Sequence, residues 1–429
     1  MIKDSALVVY YNKNNIYSIN ALIGALETDD YFNDINIYFI SKKDKLIEDL
    51  KDIIKKHKLV ILGISFFTTQ LWDINDLITT LKLKYKNRIL YIAGGSHPTG
   101  DPQGVIKLGF NFVVVGEGEE TFGELLKKIE LNSGFENVKG IAFTNQSNKY
   151  IFTGKRKPIN LNNYHPFPLK NRRFGAIEIT RGCPYVCYFC QTPYILGTKP
   201  RHRSIESICR YVKILKNNYG DLTHIRFITP NAFSYGSLDG KVLNLTKLEE
   251  LLRNIREIIG KKSYIFLGTF PSEVRPEHVT DETLALVSKY ANNDNITIGA
   301  QSGSQRILDL CHRDHTVRDI YNAVDLTLRN KLKINVDFIF GLPGENHEDI
   351  KLTIQMMKDL VNKGAKVHAH SFMPLPQTPF AKLPVNLVKY LYKEEIKSLI
   401  SKGFAFGNWK KQERLAIKIA KYMKTKKLT

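Results

Sequence analysis

Residues 178–193 read EITRGCPYVCYFCQTP and place three thiols on one short loop. Cys183, Cys187 and Cys190 follow one another at x3 and x2 spacing, directly behind a short apolar, strand-like run over 176–179. A structural zinc site takes four ligands, usually as two separated pairs. The nearest histidines, His165 and His202, both lie outside the short spacing that a zinc knuckle uses. Three soft thiolates on one tight loop instead suit an iron–sulfur cube, which cysteine holds. Three protein ligands for four irons leave one iron open to a small molecule, which is a catalytic arrangement.

A chain of 429 residues is too long for one ordinary core and predicts two or three domains. Its apolar content is near the globular average, and no low-complexity tract interrupts it. No apolar run reaches the length of a membrane span, so no membrane partner is expected. The start, MIKDSALVVYYNK, has only a short apolar run after its charges, and no secretory signal is expected. Five cysteines, three of them clustered, do not make a disulfide framework. A cluster needs reduced thiols, so the expected compartment is the cytoplasm. The formal charge of +21 suits an acidic partner, but the lysines are spread along the whole chain rather than gathered in one arm. Nucleic acid is therefore not the expected partner.

Residues 1–135 alternate apolar runs (6–10, 35–40, 59–65, 89–93 and 112–115) with helical patterns. That alternation predicts an α/β domain with a doubly wound, Rossmann-like parallel sheet. Ligands of such sheets sit at the carboxyl ends of the strands, so the loops behind the runs are the informative ones. They contain Ser65, Phe66, Thr68, Thr69 and Gln70, then Gly94, Gly95, His97 and Thr99, then Gly116, Glu117, Gly118 and Thr121. Glycine at these turns allows positive φ and a close approach of backbone to a bulky ligand.

Residues 136–173 read as a hairpin followed by an extended, proline-bearing linker. Over 174–380, strand-like runs at 176–179, 224–228, 264–268, 295–300, 335–340 and 367–371 alternate with helices. Six βα units predict a partial (β/α)6 TIM-type barrel, with ligands again at the carboxyl ends of the strands. The cysteine loop follows the first of them. Residues 381–429 are basic and predict a small helical region; Val388, Leu391, Tyr392, Ile396, Leu399 and Ile400 share one helix face.

C-x3-C-x2-C, with Phe189 just before the last cysteine, resembles the radical S-adenosylmethionine (SAM) signature. GGSHPT followed by VVVGEGEETF resembles the cobalamin-binding domain that precedes many radical SAM domains. The resemblance implies three cofactors: a [4Fe-4S] cluster on Cys183, Cys187 and Cys190, SAM on its open iron, and cobalamin on the three N-terminal loops. For SAM it implies contacts from Phe189, Thr229, Ser272, Glu273, Gln301, Ser302, Arg313 and Gly341, all near strand ends or the cysteine loop. Arg313 is expected either to pair with the SAM carboxylate or to lie in a surface salt bridge. Two departures stand out: D-x-H-x-x-G, which would supply an axial histidine to cobalt, is absent, and so is the GGE-like segment after the second barrel strand. His97 is accordingly expected to be a turn or cofactor-edge residue.

The combination resembles a cobalamin-dependent radical SAM methyltransferase. It implies formation of a 5′-deoxyadenosyl radical and methyl transfer from methylcobalamin to an unactivated carbon, for which a protein side chain is the leading substrate class. An electron donor such as ferredoxin or flavodoxin is the implied partner. No residue is named as catalytic acid or base. Ring formation or rearrangement without methyl transfer, and a sensor without turnover, stay open. A tRNA methylthiotransferase would need three more cysteines near its N-terminus, and residues 1–182 contain none.

Overall fold

The computed structural model describes residues 4–388 and 390–428, without the side chains of Tyr390 and Leu391. It divides at Gly175/Ala176 into two compact units, apart from two short segments beyond Pro374 that group with the first.

In the first unit, β1 (Ser5–Tyr10), β2 (Asn36–Ile40), β3 (Leu59–Ser65), β4 (Leu90–Gly94) and β5 (Phe112–Val114) form a parallel sheet in the order 2-1-3-4-5. Strands covered on both faces must be apolar along their whole length, which is why these runs do not alternate. Ala6, Leu7, Val8 and Val9 of β1 are all essentially inaccessible. In this strand order the chain reverses direction between β1 and β3, which opens a crevice at their carboxyl ends. Asn15 closes its floor, donating to Tyr10 O (2.6 Å) and Ser65 O (3.0 Å), while the hydroxyls of Ser18 and Ser65 lie 2.8 Å apart.

Residues expected as hairpin and linker are built into this unit. β6 (Ile141–Thr144) and β7 (Tyr150–Phe152) extend the sheet antiparallel from β5. The stretch beyond them docks on the helix Ile16–Leu26: Gly24 packs so closely that a Cβ there would lie 2.7 Å from His165 O. The Glu27 carboxylate accepts the backbone N–H groups of Leu169 (2.5 Å), Lys170 (2.9 Å) and Asn171 (3.1 Å). Charged hydrogen bonds of this kind contribute more than neutral ones. Glu27→Ala is expected to lower the unfolding free energy of this unit by about 2 kcal/mol, measured by urea denaturation, and to expose residues 165–173 to protease.

The second unit begins with β8 (Ile177–Glu178) and a small antiparallel pair, β9 (Thr180–Arg181) and β10 (Arg201–His202), that braces the cysteine loop. β11 (His224–Ile228) lies between β8 and β12 (Tyr264–Phe266). A second parallel sheet runs β13 (Asn295–Gln301), β14 (Lys333–Phe340), β15 (Lys366–Ser371), β16 (Ala405–Phe406). Among the described residues, the two are linked by an isolated bridge, Val274 to Ile298, rather than by a continuous ladder, so the barrel is partial and open. The C-terminal region is more than a helical cap, because β16 adds a seventh parallel strand beside β15. The helix Trp409–Thr425 covers it with Trp409, Ala416, Ile419 and Tyr422, all buried. Val388, Tyr392, Ile396 and Leu399 are buried as the helical pattern requires and Ile400 is half-buried; the Leu391 side chain lies outside the described residues.

Candidate active site

The cysteine loop is held by its backbone. Cys183 N donates to Gly197 O (3.0 Å), Tyr188 N to Cys311 O (3.0 Å) and Cys190 N to Cys187 O (3.1 Å). Val186, in the middle, has φ of +31°, which a β-branched residue adopts only under constraint, and Tyr194 Oη donates to its carbonyl at 2.9 Å. Cys187 is buried, while Cys183 and Cys190 keep some surface. Burial pushes the thiols of Cys183 and Cys190 up, with Cys190 and Cys187 adding to the shift of the first and Cys187 to that of the second. Loading a metal cluster must displace those protons. Cys311 is different: fully buried, its thiol is pushed up to about 12, and it packs with Ile307, Leu342 and Phe372 as an inert apolar residue.

Arg313 stands directly on this loop. Its Nη1 donates to Cys187 Sγ at 3.5 Å and its Nη2 to Gly299 O at 2.8 Å, while Nε has no partner among the described residues. This placement removes the surface salt bridge that the sequence left open. The side chain is fixed from behind by Arg275, which hydrogen-bonds Arg313 O, pairs with Glu277 and lays its guanidinium 3.3 Å from the centroid of the Tyr185 ring. Buried His315 donates to Ala300 O, and burial, followed by the charges of Arg313 and Arg275, pushes its pKa down to about 2. The imidazole is therefore neutral and adds no further positive charge.

The residues expected around SAM fall into two groups. Ser272 Oγ donates to Thr269 O, Thr229 Oγ1 to Asn231 O, and the Ser302 hydroxyl sits 3.2 Å from that of Thr353, with all three buried. Each hydroxyl has a protein partner. Phe189, Glu273, Gln301 and Arg313 form the second group. Phe189 is half-buried against the apolar group that contains Leu342, Phe372 and Phe380. Gln301 is held at φ of +73° where β13 bulges, a strained geometry for a side chain that bears its amide. Glu273 is open to water on one side yet crowded by protein on the others; burial, with the adjacent Asp337, pushes its carboxyl up.

Gly341 begins the GLPGE turn at φ of +80°, and its N–H donates to Glu345 Oε2 at 2.7 Å. The other oxygen of Glu345 has no partner among the described residues, and burial pushes this carboxyl up to about 8. A raised carboxyl binds its proton more tightly folded than unfolded, so ionisation opposes folding. Stability owed to this group is full below about pH 4.5 and is lost as pH rises through 8. Glu345→Gln keeps an acceptor for Gly341 and is expected to flatten that decline, which is on the order of a few kcal/mol, in urea melts between about pH 5 and pH 8.

In the first unit, the loop behind β3 is anchored from below. His97 is fully buried, with Nδ1 3.0 Å from Thr68 Oγ1 and its ring against Phe66, itself buried. Thr99 Oγ1 accepts Gly116 N–H at 3.0 Å, Gln70 Oε1 accepts Phe67 N–H at 3.0 Å, and Thr69 is exposed. Glu117 and Thr121 turn away from the crevice: Glu117 accepts Ile159 N–H, and Thr121 donates to Lys139 O. A Cβ at Gly118 would meet Leu22 Cδ2 at 2.5 Å, so that side chain would have to shift. Gly94 and Gly116 are different, because a Cβ on either would meet nothing within 4 Å. These two glycines leave a ledge clear at the carboxyl ends of β4 and β5. Asn15 and Ser18, behind β1, belong to the same rim; the polar run NKNN after the first strand (residues 12–15) was the available signal for them.

Residues 177–357 match the model of the radical SAM superfamily, and residues 10–126 match that of the B12-binding domain. The chain is a radical SAM protein with a B12-binding domain. Among relatives of this radical SAM protein, an uncharacterized methyltransferase of Pyrococcus horikoshii is 25% identical over 342 residues, covering 76% of this chain and 70% of the relative. A tRNA-2-methylthio-N(6)-dimethylallyladenosine synthase of Buchnera aphidicola is 29% identical over 312 residues, covering 71% and 64%. The fold is shared with the radical SAM methyltransferase TsrM from Kitasatospora setae, solved with cobalamin and a [4Fe-4S] cluster. Its TM-score is 0.66 at 16% identity over 88% of this chain and 77% of that one.

The residues present fit the groups such domains carry. Three free thiols on one short loop match a cluster with one open iron. The unpartnered Nε of Arg313 matches a carboxylate, and the ledge at Gly94 and Gly116 matches a flat macrocycle.

Proposed function

We propose that this radical SAM protein is a cobalamin-dependent methyltransferase that places a methyl group on an unactivated carbon, with a protein side chain as its substrate class. The observation that carries this reading is the three-thiol loop capped by Arg313 in one unit, together with a glycine ledge at the sheet crevice of the other. When bound, the cofactors supply the reactive steps: the cluster and SAM generate a radical, and the corrinoid carries a methyl group. The protein's own residues bind and orient. Cys183, Cys187 and Cys190 hold the cluster, and Arg313 orients the SAM carboxylate from a position set by Arg275 and Tyr185. Phe189 packs against the adenine, and Gln301 offers its amide to the ribose. Loops 65–70, 94–99 and 116–121 hold the corrinoid, with His97 bracing the loop rather than binding cobalt. The net charge of +21 suits an acidic electron donor of the ferredoxin or flavodoxin kind.

The test is turnover by anaerobically reconstituted protein with SAM, cobalamin and a chemical reductant. Formation of 5′-deoxyadenosine and S-adenosylhomocysteine, with a mass gain of one CH2 in a protein from a host lacking the gene, supports methyl transfer to carbon. Binding of both cofactors without 5′-deoxyadenosine indicates a sensor and ends the proposal. A sulfur-containing mass gain on tRNA would move the chain to methylthio transfer, which the absence of cysteine from residues 1–182 argues against.

A further inference from the structure

Two adjacent strands of the second unit bring together three metal-binding side chains that no part of the foregoing chemistry uses. Asp337 on β14 is the direct register partner of His368 on β15, and His370 follows two residues later on the same face of that strand. Asp337 is buried, at 5% exposure, and the two imidazoles are half-buried. His370 Nε2 lies 3.0 Å from His368 Nδ1, His368 Nδ1 lies 3.2 Å from Asp337 Oδ1, and His370 Nε2 lies 4.0 Å from Asp337 Oδ2. Ligands about 2.1 Å from one ion are separated by roughly 3.0 Å at right angles and roughly 3.4 Å at tetrahedral angles. Two of these separations fall in that range, and the third, 4.0 Å to the other Asp337 oxygen, shortens when the carboxylate turns toward an ion; one ligand atom from each residue lies within 4.8 Å of the others.

We infer that Asp337, His368 and His370 form a mononuclear site for a divalent transition-metal ion, zinc or ferrous iron, distinct from the three-cysteine loop. Two imidazoles and one carboxylate are borderline donors that suit these ions, and the arrangement leaves coordination positions open. The rings are held in place from outside. Phe406 of β16 stacks on His368 with centroids 4.3 Å apart and planes 8° from parallel. Gln412 Nε2 lies 3.3 Å from His370 Nδ1 on the far side of that ring, which leaves Nε2 turned inward. Binding through Nε2 puts the ring proton on Nδ1, so the contact with Gln412 Nε2 opens when the ion is present, while Gln412 Oε1 keeps the Ser371 N–H it accepts at 2.9 Å. Glu273 lies beside Asp337, which puts a second carboxyl group near the site. An open coordination position is where a substrate oxygen or nitrogen would be held and polarised.

The test is a zinc titration of the full-length, cluster-loaded protein, followed by desalting and elemental analysis. One zinc per chain is expected, with affinity at least about 100-fold weaker in His368→Gln and His370→Gln. The variant lacking all three cluster cysteines is expected to keep that zinc, with a nitrogen and oxygen shell in its X-ray absorption spectrum. Circular dichroism checks that the glutamine variants are folded, and a zinc-dependent rise in melting temperature, present in the wild type and absent from both, gives a second readout. Zinc binding unchanged by either substitution, sulfur in the zinc shell, or no zinc retained by the wild type would each overturn the assignment.

Discussion

Replacing any one of Cys183, Cys187 or Cys190 by alanine is expected to abolish 5′-deoxyadenosine formation while leaving corrinoid uptake by the B12-binding domain unchanged. The reduction expected is at least about 1,000-fold, or about 4 kcal/mol of barrier, because no side chain replaces a redox cofactor in one-electron chemistry. Iron and sulfide per chain should fall together with activity. Cys187→Ala has a further consequence, since it leaves Arg313 Nη1 without the sulfur it now meets at 3.5 Å. The controls are the remaining two cysteines. The Cys311 carbonyl accepts from Tyr188 N–H while its side chain packs in the apolar group under the loop, and Cys209 lies on the helix Ile205–Tyr219. Alanine at either should leave the cluster in place. Full iron content in any of the three loop variants, or its loss in Cys209→Ala, would sink the assignment.

Much of this framework was legible because the physics that decides it is local. The run 59–65 is a parallel strand because seven consecutive residues without a charge have no solvent face, and β3 covers the same seven. The run 224–228 likewise coincides with β11. Three thiols within eight residues need no tertiary information to be seen as one site. What stayed hidden depends on register between distant segments. Arg313 and Cys187 are 126 residues apart, so no spacing rule places the guanidinium on the sulfur. Asp337 and His368 meet because β14 and β15 pair at that register and no other. β16 is two residues long, too short for any periodicity, and only its pairing with Val367 and His368 makes it a strand. The hydrogen bonds of Ser272, Ser302 and Thr121 to neighbouring protein groups were not legible either, because each depends on how its turn is folded.

The adjacent glycines behind β4 allow the corrinoid reading to be tested apart from the fold. A side chain at Gly95 would have to adopt φ of +98°, with its Cβ 2.7 Å from Ser65 Oγ and 2.9 Å from Phe66 N. Gly95→Ala therefore strains the backbone, at about 1–3 kcal/mol, and forces the β3 loop outward as well. It is expected to weaken corrinoid binding only through loss of structure, with the melting temperature falling in parallel. Gly94 has the reverse character, because nothing lies within 4 Å of the Cβ position and phenylalanine is at home in a strand. Gly94→Phe should leave stability within about 0.5 kcal/mol of wild type. Its ring would then fill the ledge, and cobalamin affinity should drop at least about 100-fold, close to 3 kcal/mol. Cluster content, held in the other unit, should not change. The pair is decisive because stability and binding move together at one glycine and separate at the next. Unimpaired cobalamin uptake by a folded Gly94→Phe protein would mean that the corrinoid does not lie over the end of β4.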